Sequence, residues 1–589
     1  MSVKFAVLLV LARTALGLGQ GTNAKQTCRV LPGDATWPSA QDWAKLNKTI
    51  HGRLIATVPE ASVCHAYPFA DFSYAACATL QSTWDLAAIS HINSPAEILS
   101  QNFQNYSCVP FTPSCQACTL GNYASYVVNI TGASDVVSAI AFAKEHNVRI
   151  VIKNTGHDYL GKSTGKGSLS LWTHNLKSTE YIPSYNSSYY TGPAAKLGAG
   201  IEGWEAYTLA NQTGHRMVGG TCPTVGIAGG YSMGGGHSIL SSSYGMGTDN
   251  VLEWEVVTVD GQHLVASPVE NEDLYWALTG GGGGTFGVVL SMTARLHVDS
   301  IVGGTLFSFN DSAVGQDAYW NAVGAWHALL PDFLDGGNSF TYAIGNTSLT
   351  AYGTMPGANL TEIGRLLQPF ISDLAKRNIV PINEPLVSPN YYDHFYTYLG
   401  PAPYSNDTYD PFTDSRVVPR SLFTNATTLA IVTELFRNIS QVEAFSPFYC
   451  NSFNVGVQEH PDNSLHPGWR NGMVLCSPAG SWDWDATPEE MAARDEFAAK
   501  TLQPMMDAAT PGGNVYLNEA NHLYEDWKEN FFGPNYNRLL SIKNRYDPDE
   551  LLYVKTGVGS DNWGEDANGR LCKDRPIAQK RELFQSFRF

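Results

Sequence analysis

Lys153-Asn154-Thr155-Gly156-His157-Asp158-Tyr159-Leu160-Gly161 is the stretch on which the reading of this chain turns. Just before it, Val148-Arg149-Ile150-Val151-Ile152 is short and rich in β-branched residues, which predicts a strand. Upstream, Ser134 is placed as the N-cap of a helix with Val137, Ile140 and Ala141 on its apolar face, closing near Asn147. A strand–helix–strand unit thus delivers a glycine-containing loop with a histidine in it. Backbone N–H groups in such a loop can hold phosphate. A second stretch comes next: Gly219-Gly220-Thr221-Cys222-Pro223-Thr224-Val225-Gly226-Ile227-Ala228-Gly229-Gly230-Tyr231-Ser232-Met233-Gly234-Gly235-Gly236-His237. So many glycines make a poor strand and a poor helix. They suit backbone that must press against a flat ligand.

Around these stretches the chain divides by composition. Its 589 residues exceed one ordinary core. Residues 1–19 read as a secretory signal: Lys4 opens it, Phe5 to Ala12 is a short apolar core, and Ala15-Leu16-Gly17 offers a cleavage site. Residues 20–119 form a cysteine-rich extension. Residues 120–300 alternate strand and helix signals. Among them are strands at Tyr126-Val127-Val128, Ser168 to Trp172 and Trp254 to Val259, a helix at Trp204 to Ala210, and a turn at Asp260-Gly261. Residues 301–534 are aromatic-rich and harder to divide into elements. Near the end of that span, Val515-Tyr516-Leu517-Asn518 predicts a strand. Residues 535–589 begin with a helix from Asn535 to Tyr546, stopped by Asp547-Pro548.

Hydrophobic residues make up 43% and charged residues 15%, as in a globular chain. A net charge of −18 disfavours nucleic acid and anionic membrane as partners, and no apolar run is long enough to span a bilayer. Eleven Asn-x-Ser/Thr sequons, from Asn47 to Asn438, fit an exported protein carrying N-glycans. In that setting most of the ten cysteines should pair. Cys115-x-x-Cys118 has zinc or redox spacing, but disulfides are the expectation in an oxidising compartment. Cys450 and Cys476 are candidates to pair, although spacing alone fixes no connectivity.

The two glycine-bearing stretches resemble the vanillyl-alcohol-oxidase/p-cresol-methylhydroxylase (PCMH-type) flavoproteins, in particular the secreted berberine-bridge-enzyme-like branch. Gly280 to Gly284, the Tyr516-x-Asn518 segment and the Arg545-Tyr546-Asp547-Pro548 ending fit the same branch. The Gly-Gly-Gly-His-Ser form ending at Ser238 looks more like fungal isoamyl-alcohol-oxidase-like members. The resemblance covers about residues 120–300 and 510–560. It implies an α+β fold: a PCMH-type, two-subdomain FAD-binding domain, and an α+β substrate domain with an antiparallel sheet over the flavin. It further implies FAD held by two covalent bonds, from His157 to the 8α-methyl and from Cys222 to C6. Two such bonds raise the flavin potential and retain the cofactor outside the cell. Asn154, Thr155, Gly156 and Asp158 are then expected at the pyrophosphate, with Val225, Gly226, Gly229, Gly230 and Asn518 as further cofactor contacts. Val225 matches the position where valine goes with oxidase behaviour, so O2 is the implied acceptor.

The implied reaction is a two-electron oxidation of an alcohol or other small organic substrate, giving hydrogen peroxide. Oxidative cyclisation of a secondary metabolite, or dehydrogenation, is the variant. An imidazole can take a proton near neutral pH, which makes His237 the preferred base. Tyr516 is the second candidate and Glu519 a weaker one. A different class stays open: Gly230-Tyr231-Ser232-Met233-Gly234 has nucleophile-elbow spacing, with His522 and Asp393 as partners for a secreted serine esterase. An elbow needs a strand before it, and Pro223 to Gly229 is a poor one.

Overall fold

The computed structural model describes residues 28–573, apart from 70, 85, 87–90 and 401–411. The expected signal segment, and sequon Asn406, lie outside the described residues.

The strand–helix–strand unit forms as read, with one shift. The helix is Ala133–His146, capped by extended Gly132 and ended by left-handed Asn147 at φ 54°. Ser134 lies inside the first turn. Asp135 organises the entry instead, accepting the backbone N–H and hydroxyl of Thr131 and pairing with Arg53. The buried stripe is Val136, Ala139, Ile140 and Ala143, while Ala141 faces solvent. Flanking strands Tyr126–Asn129 and Ile150–Lys153 both run parallel to Leu169–Trp172, which lies between them. Strand Leu54–Ala56 closes this sheet on its other edge, antiparallel to Tyr126–Asn129. The described part of the cysteine-rich extension is therefore built into the first sheet.

A second, antiparallel sheet has the order Thr179–Asn186, Thr191–Gly198, Val288–Arg295, Val251–Val257, His263–Ala266. The Asp260-Gly261 turn joins its last two strands, with Gly261 at φ 87°. A third sheet, antiparallel and seven-stranded, has the order Ile382–Ser388, Val302–Asn310, Ser348–Pro356, Ser339–Ile344, Phe448–Ser452, Gly472–Ser477, Arg416–Pro419. Helices Gln316–Asp335 and Leu360–Lys376 cover one face of it through Trp320, Trp326 and Phe370, packed on Phe307 and Phe340. The fold is α+β, with its largest sheet in the aromatic-rich region.

The Val515 to Asn518 segment is not a strand. The residue before it, Asn514, makes one bridge to Val417, and the Val515 N–H donates to the Asn530 oxygen at 3.0 Å. The Tyr516 N–H donates to Ser415 Oγ at 3.2 Å, so a side chain replaces the neighbouring strand. The C-terminal helix runs Tyr536–Tyr546. Four disulfides form: Cys28–Cys572, Cys64–Cys77, Cys108–Cys118 and Cys450–Cys476. Cys115 and Cys222 are left as thiols, so the Cys115-x-x-Cys118 pair is split between a thiol and a disulfide. No described helix is long and apolar enough to cross a membrane.

Lys153, the last residue of its strand, is fully buried. Its ammonium donates to the backbone oxygens of His91 at 3.3 Å, Ile92 at 3.4 Å and Ser94 at 2.7 Å. Burial pulls it down to about 7, against the opposing charges of Glu97 and Glu60. The amine thereby ties the N-terminal extension to the strand that carries the loop. Lys153→Met leaves three buried carbonyls without a donor and is expected to cost about 3 kcal/mol. An unchanged urea midpoint would show that the tie contributes nothing.

Candidate active site

The Ile150–Lys153 strand ends where Asn154 begins the loop, and Asn154 is anchored at once. Its Nδ2 donates to Thr173 Oγ1 at 3.0 Å and to the Ala199 oxygen at 2.7 Å. The glycine-rich stretch then passes directly over it. A Cβ on Gly226 would lie 2.1 Å from Asn154 Oδ1, and one on Gly229 would lie 2.3 Å from Asn154 Cγ. Only glycine permits that approach.

A cavity of about 530 Å³ opens between this loop, the glycine stretch, the Gly283–Gly284 turn and the bare face of the seven-stranded sheet. Asn154, Thr155, Gly156, His157, Asp158, Cys222, Val225, Gly226, Gly229, Gly230, His237, Tyr516 and Asn518 all line it. Each was expected at the site from the sequence, and they come from segments far apart in the chain. His157 and Cys222 face each other, with Sγ 3.9 Å from Nε2. Thr224 Oγ1 sits against both, 2.9 Å from Nε2 and 3.5 Å from Sγ.

Asp158 turns its carboxylate back into its own loop, accepting the N–H groups of Leu160 at 3.0 Å and Ser163 at 2.7 Å. The positive group on this side is Lys162, which was not among the residues expected from the sequence. It lines the cavity, and burial pushes its amine below the usual lysine value while Asp158 opposes the shift. A lysine inside a loop suited to phosphate was the signal available for it.

At the other end, His237 is buried, and its Nε2 lies 2.8 Å from Glu519 Oε1. The second oxygen of that carboxylate accepts the Ser477 hydroxyl at 2.9 Å. Burial alone would raise the Glu519 carboxyl; the charge and hydrogen bond of His237, with the Ser477 hydroxyl, outweigh it and hold it below its usual value. When the ring is neutral, a carboxylate on Nε2 fixes the proton there and leaves the lone pair on Nδ1. That atom is buried without a hydrogen-bond partner among the described residues. Tyr516 packs edge-on to His237, ring centres 5.3 Å apart, and accepts Asn518 Nδ2 at 2.9 Å. Burial and the Glu519 charge push its phenol far above the ordinary tyrosine value, so it stays neutral. Glu519 therefore belongs to the site more firmly than its place beside the Tyr-x-Asn segment suggested. Ser477, on a distant strand, gave no signal.

The esterase constellation does not assemble. Ser232 is buried on short helical turns, Ile227–Tyr231 and Ser232–Gly234, with no strand leading into it. His522 is engaged with Asp495 at 2.9 Å and Lys555 at 2.7 Å, and Asp393 is exposed on its own helix. Two aromatic clusters of the 301–534 region, around Tyr391 and Trp469, are core: Tyr391 and Phe395 are buried, and Trp469 packs edge-on against Tyr516.

A glycine-cradled cavity with a lysine at one end and a held histidine at the other suits a phosphate-bearing planar cofactor. Residues 124–267 match the FAD binding domain family, and residues 515–559 match the berberine and berberine-like family. The VAO-type flavoprotein oxidase VAO615 of Thermothelomyces thermophilus is 71% identical over 96% of this chain and 98% of its own. The crystal structure of the VAO-type flavoprotein MtVAO615 from Myceliophthora thermophila superposes with a TM-score of 0.92 at 72% identity, covering 93% of this chain and all of that one. More distantly, a glucooligosaccharide oxidase from Acremonium strictum, whose FAD is 6-S-cysteinyl and 8α-N1-histidyl, shares the fold. Its TM-score is 0.62 at 19% identity, over 74% of this chain and 92% of that one. The chain belongs to the VAO-type flavoproteins with a berberine-like C-terminal segment, and it is an FAD-linked oxidoreductase.

If Lys162 faces the cofactor's phosphates, Lys162→Met should weaken FAD binding in a variant lacking both His157 and Cys222 side chains. The weakening should shrink as salt is raised. Equal FAD affinity with and without the lysine would remove it from the cofactor site.

Proposed function

We propose that this protein is a secreted oxidase that holds FAD through His157 and Cys222. It takes a hydride from a hydroxyl-bearing small molecule and passes the electrons to O2, giving hydrogen peroxide. The observation that carries this reading is the single cavity with the His157–Cys222 pair at one place on its wall and the His237–Glu519 pair at another. The residues fit FAD. Asn154 Oδ1 is buried without a hydrogen-bond partner among the described residues, the glycine stretch offers backbone without side chains, and Lys162 supplies positive charge. The 6-S-cysteinyl, 8α-N1-histidyl FAD of the glucooligosaccharide oxidase supports the same two anchors here. Four disulfides and the sequons support export.

When bound, FAD supplies the two-electron acceptor and the route to O2. The protein's own part is proton transfer and placement. His237 takes the substrate hydroxyl proton, with its ring held through Nε2 by Glu519. The same carboxylate then stabilises the imidazolium, as buried opposite charges do. Ser477 holds Glu519 in place. Tyr516, kept neutral, orients the substrate oxygen rather than taking its proton. Val225 lines the cavity near Cys222, at the position where the resemblance pairs valine with oxidase behaviour.

Acid precipitation tests the cofactor half. The pellet should stay yellow in the wild type and in each single variant, His157→Ala or Cys222→Ala, and lose its colour only in the double variant. A yellow supernatant from the wild type would sink the covalent reading.

Peroxide release across a panel of alcohols, sugars and phenols identifies the substrate. With it in hand, His237→Ala should slow anaerobic flavin reduction by roughly 10² to 10⁴-fold at unchanged flavin content. Glu519→Gln should slow it less, since the imidazolium loses its counter-charge. If reduction is as fast in both variants as in the wild type, the base lies elsewhere. Val225→Leu should slow reoxidation by O2 without slowing reduction, which stopped-flow absorbance separates.

A further inference from the structure

Thr224 lies between the two side chains assigned to the flavin, so any role for it rests on the reading of His157 and Cys222 as the anchors. The residue is 1% exposed and held rigidly. The Val225 N–H donates to the Cys222 oxygen at 3.4 Å, which tightens the chain around it. On the other side, the Gly203 and Trp204 N–H groups, at the start of helix Gly203–Gln212, donate to the Val225 and Pro223 oxygens at 3.0 and 2.9 Å. The Thr224 hydroxyl is thus fixed 2.9 Å from His157 Nε2 and 3.5 Å from Cys222 Sγ.

A hydroxyl has one proton to donate, so the chain of contacts has two directions. In one, the sulfhydryl donates to Oγ1 and the hydroxyl donates to Nε2. Nδ1 then carries the ring proton, and neither side chain is a nucleophile. In the other, Nε2–H donates to Oγ1 and the hydroxyl donates to sulfur. The imidazole lone pair then lies on Nδ1, and the O–H···S bond favours the sulfur anion, the reactive form of cysteine. His157 Nε2–H, 3.9 Å from Sγ, adds to that preference.

We infer that Thr224 is the positioning residue for flavin attachment: its one hydroxyl readies both nucleophiles, directing bond formation to His157 Nδ1 and to Cys222 Sγ. Each attachment balances in the same way. A C–N bond replaces one C–H bond of the 8α-methyl, or a C–S bond replaces the C6–H bond. Two electrons and two protons remain on the flavin ring. O2 then takes both, leaving oxidised flavin and one hydrogen peroxide per bond formed.

The test compares wild type, Thr224→Val and Thr224→Ser by mass spectrometry of the peptides bearing His157 and Cys222, with total bound FAD measured before denaturation. Valine keeps the shape and removes the hydroxyl. It should bind FAD yet carry at least tenfold less flavin on each peptide, and serine should restore both links. Full double attachment in the valine variant would overturn the inference, as would failure of serine alongside valine. Should the valine variant not fold, the linkage in the wild type decides: NMR of the flavinyl peptide should place the bond on Nδ1, and a bond on Nε2 would overturn the role given to Thr224. A wild type with no flavin on either peptide would refute the anchors themselves, which is a different outcome from a doubly linked valine variant.

Discussion

The approach of Gly226 and Gly229 to Asn154 is the constraint on which the site depends. Asn154 follows the last strand residue, Lys153, and is tied by its amide to Thr173 and Ala199. Any side chain at Gly226 or Gly229 would collide with it. The close fit brings Cys222 and Thr224 to His157, and it sets where the chain emerges to place His237. A looser contact would leave the same residues too far apart for the chemistry, since positioning errors of about 1 Å already cost rate. The glycines carry an entropic cost of up to about 1 kcal/mol each relative to alanine. The deep burial of the segment on both sides offsets it.

Buried charge is the second theme. Lys153, Glu519 and Lys162 each sit where an ionised group is costly, and each has a different answer. Lys153 is given three carbonyls from the extension, so its charge works as a structural tie. Glu519 is given a histidine and a serine, so its charge works on a neighbour's proton. Lys162 has no carboxylate within ion-pairing distance among the described residues; its nearest opposing charge, Asp158, is turned into backbone N–H groups. A cation so placed is suited to an anion from outside the chain. That is the electrostatic complement of a cofactor carrying a pyrophosphate.

How much of this was legible in the sequence differs between the two halves of the cavity. The cofactor side was readable because its signals are local. A strand ending in Asn-Thr-Gly-His and a run of glycines keep their meaning without tertiary context. The substrate side was not. Strand Val302–Asn310 is covered by two helices on one face, and His394 and Tyr398 of helix Tyr391–Leu399 pack against its Gly304, so its pattern of burial does not alternate cleanly. The helices behind it contain Pro331 and Pro369, residues that argue against a helix when read alone. Val515 to Asn518 has strand-forming residues, yet it is held by Ser415 rather than by a partner strand. The Ser477–Glu519 contact joins positions 42 apart and carries no spacing rule at all.

The two halves are built to different tolerances, and Ser477 shows where they meet. On the cofactor side, backbone does most of the contacting, so few substitutions there are neutral. On the substrate side, the cavity wall is a row of side chains set by strand register. Tyr352 lies opposite Thr341, Thr341 opposite Asn451, and Tyr449 opposite Ser477. Each can change without disturbing the ladder beneath it, because the ladder is made by backbone. Ser477 is the exception in that row. It belongs to the sheet by register and to the His237–Glu519 pair by its hydrogen bond to Glu519. A shift of one residue in strand Gly472–Ser477 would turn Ser477 to the opposite face and release the carboxylate that sets the tautomer of His237. The Cys450–Cys476 disulfide joins directly opposed residues of these same two strands, next to Ser477, and pins that register. Residues of this wall can therefore vary around a Ser477–Glu519–His237 chain whose first member sits one residue from a covalent bond.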